Sequence, residues 1–179
     1  MHIGVFCSAH ALGPEYTKPV EDLARHVGEH GHTLVWGGSN TGLMQTVASG
    51  VRQAGGKLIG ITMEYYKADV FADAEEMVIA KDLFDRKRLL IERSDGVVIL
   101  VGGIGTLDEA TDILEVKREG VDVPIIFLNT NGFFDSLRQQ LKVMEDGGFL
   151  DRPIDELIDF AATPHEALDI LVKKAKLDG

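Results

Sequence analysis

Val101-Gly-Gly-Ile-Gly-Thr-Leu-Asp-Glu109 gathers three glycines, a hydroxyl and two carboxylates into nine residues. It follows Asp95-Gly-Val-Val-Ile-Leu100, a short apolar run of the buried-strand type, and leads into Thr106 to Arg118, which reads as a helix. A strand, a glycine loop and a helix start in that order make an anion site. Glycines let backbone N–H groups come close to a ligand, and a helix N-terminus offers unpaired donors and a partial positive charge. A phosphate is the natural guest, and Glu109 lies three residues inside the helix, where it could reach whatever the phosphate is attached to. The loop is neither a Walker A motif, since no Gly-Lys-Ser/Thr follows, nor a dinucleotide fingerprint, since the G-x-G-x-x-G spacing is absent. Two plainer readings stay open: a tight strand-to-helix turn, and a capping box, Thr106-Leu-Asp-Glu109, in which the glutamate only satisfies the helix start.

Two other segments carry candidate chemistry. Trp36-Gly-Gly-Ser-Asn-Thr-Gly-Leu-Met44 is a second glycine loop, open to a ligand or to simple packing; the stripe of Leu43, Met44, Val47, Ala48, Val51 and Ala54 behind it is core. Asp82-Leu-Phe-Asp-Arg-Lys-Arg88 opens a helix. At about 100° per residue, Leu83, Phe84, Leu90 and Ile91 fill one apolar arc with Lys87 at its centre, Arg86 on its flank and Arg88 near the opposite face. A lysine so placed must snorkel out or meet an anion, because burying an unpaired charge is costly. The same projection sets Glu109 between Ile113 and Val116 at the edge of an inward face, with Asp108, Asp112 and Glu115 on the other side.

Positioning these segments requires alternating strands and helices, and the chain supplies them. Strands are expected at His2–Ser8, Thr33–Trp36, Lys57–Ile61, Met77–Ala80, Gly96–Leu100 and Pro124–Leu128. Helices are expected at Glu15–His30, Thr41–Ala54, Asp82–Ser94, Thr106–Glu119, Phe133–Asp146 and Pro164–Lys176, the last opening on the capping box Thr163-Pro-His-Glu166. Such alternation predicts an α/β fold: a single domain over 1–179 with one doubly wound, mostly parallel sheet and helices on both faces. Ligands bind such sheets at the carboxyl ends of the strands, where all three segments begin.

Composition narrows the function. The net charge is −11, with a pI of about 4.9, which argues against long nucleic acid or an anionic membrane, since both need an extended basic surface. A small anion needs only a local cluster of positive groups. The single cysteine, Cys7, allows no intrachain disulfide and reads as a buried strand end; the six histidines form no metal-ligand pattern. No signal peptide or membrane-length apolar run is evident, so a cytoplasmic protein is expected.

Taken together, the segments resemble the LONELY GUY family, Rossmann-like cytokinin riboside 5′-monophosphate phosphoribohydrolases marked by an Arg-Lys pair on one helix and P-G-G-x-G-T-x-x-E at the start of a later one. Arg86-Lys87 matches the pair, and Gly102 to Glu109 match the second motif after its first residue. Phe6-Cys7-Ser8, Gly37 to Met44, Phe127-Leu128-Asn129 and Gly132-Phe133-Phe134 extend the similarity across residues 2 to 150. Val101 stands where the family has proline, Ser39 replaces a glycine, and Leu83-Phe84 stand where Met-His is common, so the wall near the base or ribose differs. The resemblance implies hydrolysis of the N-glycosidic bond of a nucleoside 5′-monophosphate, AMP or an N6-substituted AMP, with no metal or organic cofactor. Glu109 and Arg86 would be catalytic. Gly102, Gly103, Gly105 and Thr106 would hold the phosphate, and Lys87, Ser8, Gly37, Gly38 and Met44 would complete substrate binding. A homodimer is implied, with apolar residues around Phe84 and Ile91 in its interface or in the core. The competing class is a non-catalytic nucleotide or molybdenum-cofactor carrier of the same fold.

Overall fold

The computed structural model describes residues 1–175. Seven strands form one sheet: β1 (His2–Phe6), β2 (Thr33–Trp36), β3 (Lys57–Met63), β4 (Glu76–Ala80), β5 (Gly96–Ile99), β6 (Ile125–Leu128) and β7 (Asp159–Ala161). Their order is β4-β3-β2-β1-β5-β6-β7, and every neighbouring pair is parallel. The chain therefore winds outward one way from β1 to β4, then crosses to β5 and winds the other way. The reversal between β1 and β5 is where connections leave in opposite directions and open a crevice.

The helices are α1 (Pro14–Glu29), α2 (Gly42–Gln53), α3 (Leu83–Glu92), α4 (Ile104–Arg118), α5 (Asp135–Asp146), α6 (Ile154–Leu157) and α7 (Pro164–Ala175). Side chains alternate across each strand, so the sheet feeds two cores. Ile3, Val5, Leu34, Trp36 and Val98 pack under α1, α2 and α7. Phe6, Val35, Ile61, Ile99 and Phe127 pack under α3, α4 and the α5–α6 region. The expected doubly wound α/β architecture is the one found.

The differences lie at edges and ends. The short β7 and α6 were not expected. β1 ends at Phe6, and Cys7 and Ser8 turn away into a loop whose Ser8 N–H donates to the Val101 carbonyl at 3.1 Å. α4 starts two residues before Thr106, on Gly103 as its N-cap. At α7 the expected cap is present: the Thr163 hydroxyl accepts from the Glu166 N–H at 3.2 Å. Lys176, the expected last residue of that helix, lies outside the described residues. On α3, Leu90 and Ile91 are buried as expected, but Phe84 is 78% exposed and Leu83 is half exposed, because the first turn of α3 overhangs the end of the sheet instead of covering it. Among the described residues no helix is long and apolar enough to cross a membrane.

Candidate active site

A cleft of ≈ 510 Å³ opens at the carboxyl ends of β1, β2, β3 and β5, at the reversal of strand order. Its floor is the start of α4. Gly103 caps that helix without any side-chain hydrogen bond, and the Leu107 N–H bonds the Gly103 carbonyl at 3.0 Å. The amides of Ile104, Gly105 and Thr106 precede the first turn's bonding and have no intrahelical partner. A Cβ on Gly103 or Gly105 would meet nothing within 4 Å, whereas one on Gly102 would collide with the Thr106 hydroxyl. Gly103 and Gly105 thus leave room for a guest. Gly102 acts differently, seating the buried Thr106 without itself lining the cleft.

Arg86 and Glu109 meet in the cleft wall. α3 is started firmly: the Asp82 carboxylate accepts from the Asp85 N–H at 2.8 Å, and Asp85 accepts from the Lys81 N–H at 3.0 Å. One turn on, Arg86 donates from Nε to the Ile61 carbonyl at 3.1 Å and from Nη1 to Glu109 Oε1 at 2.6 Å. Both side chains are only 13% exposed. Burial pushes the Glu109 carboxyl above the ordinary carboxylate range, and the Arg86 guanidinium pulls it part of the way back. The capping-box reading of Glu109 fails, because α4 starts earlier and this carboxylate engages a guanidinium.

The second glycine loop mostly serves packing. A Cβ on Gly37 would strike Arg86 Nη2 and lie 2.8 Å from Met44 Sδ, so this glycine makes the seat for the guanidinium. Gly38 has φ +75°, and a Cβ there would press on Met77 Sδ at 2.9 Å; it does not line the cleft. Gly42 has φ +53° and abuts the backbone of Ala9, holding the β1–α1 loop against the start of α2. Ser8, Gly37 and Met44 do line the cleft, as do Gly103, Gly105, Thr106, Arg86 and Glu109.

Lys87 sits elsewhere than expected. It is 6% exposed and absent from the cleft lining. Its ammonium donates to Asp112 at 3.0 Å and Asp108 at 3.3 Å and lies 5.6 Å from the Phe84 ring centroid. The bond to Asp112, with help from Asp108, holds its pKa above the ordinary lysine value in spite of burial. Asp108 and Asp112, expected on a solvated face, turn to this lysine.

Sequence reasoning missed one wall. Met63, the last residue of β3, lines the cleft together with Tyr66 and Asp69 of the 3₁₀ segment Glu64–Asp69 that follows it. Residues 69–71 are tied to the second glycine loop: the Asn40 N–H donates to the Asp69 carbonyl at 2.7 Å, and the Phe71 N–H to the Gly38 carbonyl at 2.9 Å. The segment follows a strand's carboxyl end, and that position alone marked it. Cys7 also lines the cleft, but burial, with a smaller contribution from the Glu109 charge, pushes its thiol well up, so it is not a thiolate nucleophile at neutral pH.

These roles separate by substitution. Gly37→Ala forces a methyl into the Arg86 seat and should cost about 1–3 kcal/mol, the usual penalty of overpacking. Gly105→Ala meets open space on a helix and should hold or raise stability by up to ~1 kcal/mol. Urea denaturation of both against the parent checks this; equal effects would deny Gly37 its seating role.

Comparison with known proteins finds relatives over most of the chain. The model of a family described as possible lysine decarboxylase matches residues 44–171. A cytokinin riboside 5′-monophosphate phosphoribohydrolase of Mycobacterium tuberculosis is 33% identical over 151 residues, covering 83% of this chain and 81% of that protein. An Arabidopsis thaliana protein of the same activity name is 30% identical, covering 96% of this chain and 80% of the relative. Among solved structures, the molybdenum cofactor binding protein of Rippkaea orientalis superposes with a TM-score of 0.75 at 22% identity, covering 96% of this chain and 95% of that one. The Chlamydomonas reinhardtii Moco carrier protein gives 0.72 at 22%, covering 98% and 97%; at these identities the likeness is one of fold. The chain belongs to the family described as possible lysine decarboxylase, which is also that of the LONELY GUY-type phosphoribohydrolases.

Proposed function

We propose that the protein hydrolyses the N-glycosidic bond of a nucleoside 5′-monophosphate, AMP or an N6-substituted AMP, giving free base and ribose 5-phosphate. The observation that carries this is one juxtaposition: a desolvated, guanidinium-bound carboxylate lines the same cleft as the uncapped amides of a helix start. The amides of Ile104, Gly105 and Thr106 would take the 5′-phosphate, with the Thr106 hydroxyl beside them. That anchor places the ribose toward Glu109. As the bond to the base lengthens, C1′ takes on positive charge. The base leaves with the bonding electron pair and takes up a proton, while water adds to C1′ and loses one. Glu109 stabilises the cationic ribose and accepts the proton from water; Arg86 holds the carboxylate in place. Met44, Met63, Tyr66 and Leu83 give the same cleft an apolar wall suited to the face of a base.

A decarboxylase, which the family description suggests, finds no support in this cleft. No lysine lines it among the described residues, so no side-chain amine there could form a Schiff base. A carrier remains the competing class, since the fold is shared with molybdenum cofactor proteins. A desolvated carboxylate beside an anion site disfavours it, because a site that only holds a phosphate gains nothing from a neighbouring negative charge. We further propose that the chain acts as a single nucleotide-monophosphate-binding domain in the cytoplasm, an assignment that cell fractionation would check, and that it is a homodimer. The exposed Phe84 is available to an interface, whereas Ile91 belongs to the core. Light scattering at micromolar concentration should report about twice 19.5 kDa; a fully active monomer would refute the dimer.

The activity is tested by chromatography of the free base. AMP should yield adenine without added metal, and adenosine should be a far poorer substrate because it leaves the α4 amides empty. Equal turnover of both would remove the phosphate assignment, and tight binding of a nucleotide without turnover would favour the carrier. Glu109→Gln keeps the side chain's shape but cannot accept a proton or carry charge, so turnover should fall on the order of a hundredfold or more. Phosphate affinity should hold or tighten, and the melting temperature should fall, because the buried Arg86 guanidinium loses its counter-charge. Near-normal turnover would leave the mechanism without its central group.

A further inference from the structure

The reaction proposed above leaves one buried charge unused. Lys87 is the neighbour of Arg86 on α3, and Asp108 is the neighbour of Glu109 on α4, so two adjacent residues of one helix hold two adjacent residues of the other. We infer that Lys87 is a positioning residue: by bridging Asp108 and Asp112 across the α3–α4 seam, it fixes the rotation of α4 that aims Glu109 into the cleft. This rests on the hydrolytic role proposed for Glu109.

The geometry supports the bridge in three ways. Successive helix residues point about 100° apart, so Arg86–Glu109 and Lys87–Asp108/Asp112 grip α4 from two directions. Asp108 and Asp112 are four residues apart and lie one above the other on α4; an ammonium bound to both resists the pivoting that a single bond would permit. Further, the start of α4 has no side-chain cap, and Ile104 is exposed there. Its amides must stay open for a guest, so the restraint has to come from farther along the helix, which is where Lys87 binds.

The bridge also sets the field at Glu109. The Lys87 charge draws the Glu109 carboxyl down and the Asp108 charge pushes it up, both as minor contributions beside burial. Removing the ammonium leaves the carboxylates uncompensated, so Glu109 should hold its proton to higher pH. That shift reports the lost charge, whereas a fall in kcat at unchanged KM in a folded variant is what a lysine serving stability alone would not produce.

The experiment measures kcat and KM for AMP across pH for Lys87→Met, Lys87→Arg and Asp112→Asn, with melting curves to confirm folding. Lys87→Met should lower kcat by roughly 10- to 100-fold, the cost of a misplaced catalytic group. Its KM should stay within about threefold, since no substrate contact is lost. The acid limb of its kcat profile should move to higher pH. Lys87→Arg keeps the charge and should recover most of kcat, with the acid limb at the parental pH. Asp112→Asn leaves Lys87 paired with Asp108 and removes a negative charge, so kcat should fall a few-fold while the acid limb moves slightly lower. It serves as the test variant should Lys87→Met not fold. Carbon-13 NMR titration of the Glu109 carboxyl gives the same shifts without turnover. A parent inactive on every nucleoside monophosphate would therefore overturn the proposed function while leaving this test intact. An unchanged kcat and titration in Lys87→Met would overturn the inference, as would a raised KM at parental kcat, which would make Lys87 a substrate ligand.

Discussion

The ion pair between Arg86 and Glu109 is the constraint around which this molecule is arranged. Removing a guanidinium and a carboxylate from water costs several kcal/mol for each ion. A contact at 2.6 Å repays that only if both groups are held where they meet. α3 and α4 stand on the same face of the sheet, start at its carboxyl end, and are fixed by the cores beneath them. The remaining guanidinium donors also need partners or room. The Ile61 carbonyl takes Nε, and the bare backbone of Gly37 accommodates Nη2. A glycine at the end of β2, a carbonyl in β3 and helix starts after β4 and β5 thus converge on one side chain.

The glycine-rich loops divide their labour accordingly. Those at 37–42 serve the protein: they seat the guanidinium, pass close to β3 and β4, and hold the β1–α1 loop. Gly102 seats a threonine. Only Gly103 and Gly105 face unfilled space. A glycine loop at a strand end is therefore weak grounds for a ligand until each missing Cβ is tested against what it would meet. That test places the anion site at the uncapped start of α4, the one part of these loops with both donors and room.

The sheet was legible because its strands are short apolar runs separated by helices with clear stripes, and a parallel sheet buries both faces of such runs. β7 escaped because Asp159-Phe-Ala161 is too short to show a period and borrows its place from β6; α6, at four residues, is shorter than a useful helical pattern. The α4 start was displaced because Thr106 has the chemistry of a cap, but tertiary packing turns it onto Gly102. The sequence identified the conflict at Lys87, a charge inside an apolar stripe. Its resolution lies 21 and 25 residues away on another helix, beyond local spacing. The same holds for Asp108 and Asp112, whose facing toward solvent was read from α4 alone. Glu109 was legible as the inward carboxylate, and its guanidinium partner was legible only as one half of a motif.

The buried carboxylate carries a thermodynamic consequence. Glu109 releases its proton less readily in the folded chain than in the unfolded one. A group of this kind favours the folded state below its unfolded pKa, and the benefit fades as pH rises through the folded value. Wherever the pH keeps this group ionised, the fold gives up stability to do so. Losing Glu109 alone would strand the buried Arg86 charge, but replacing both partners by well-packed apolar groups is expected to harden the protein, so selection for thermal robustness alone would tend to erode the charges at its centre.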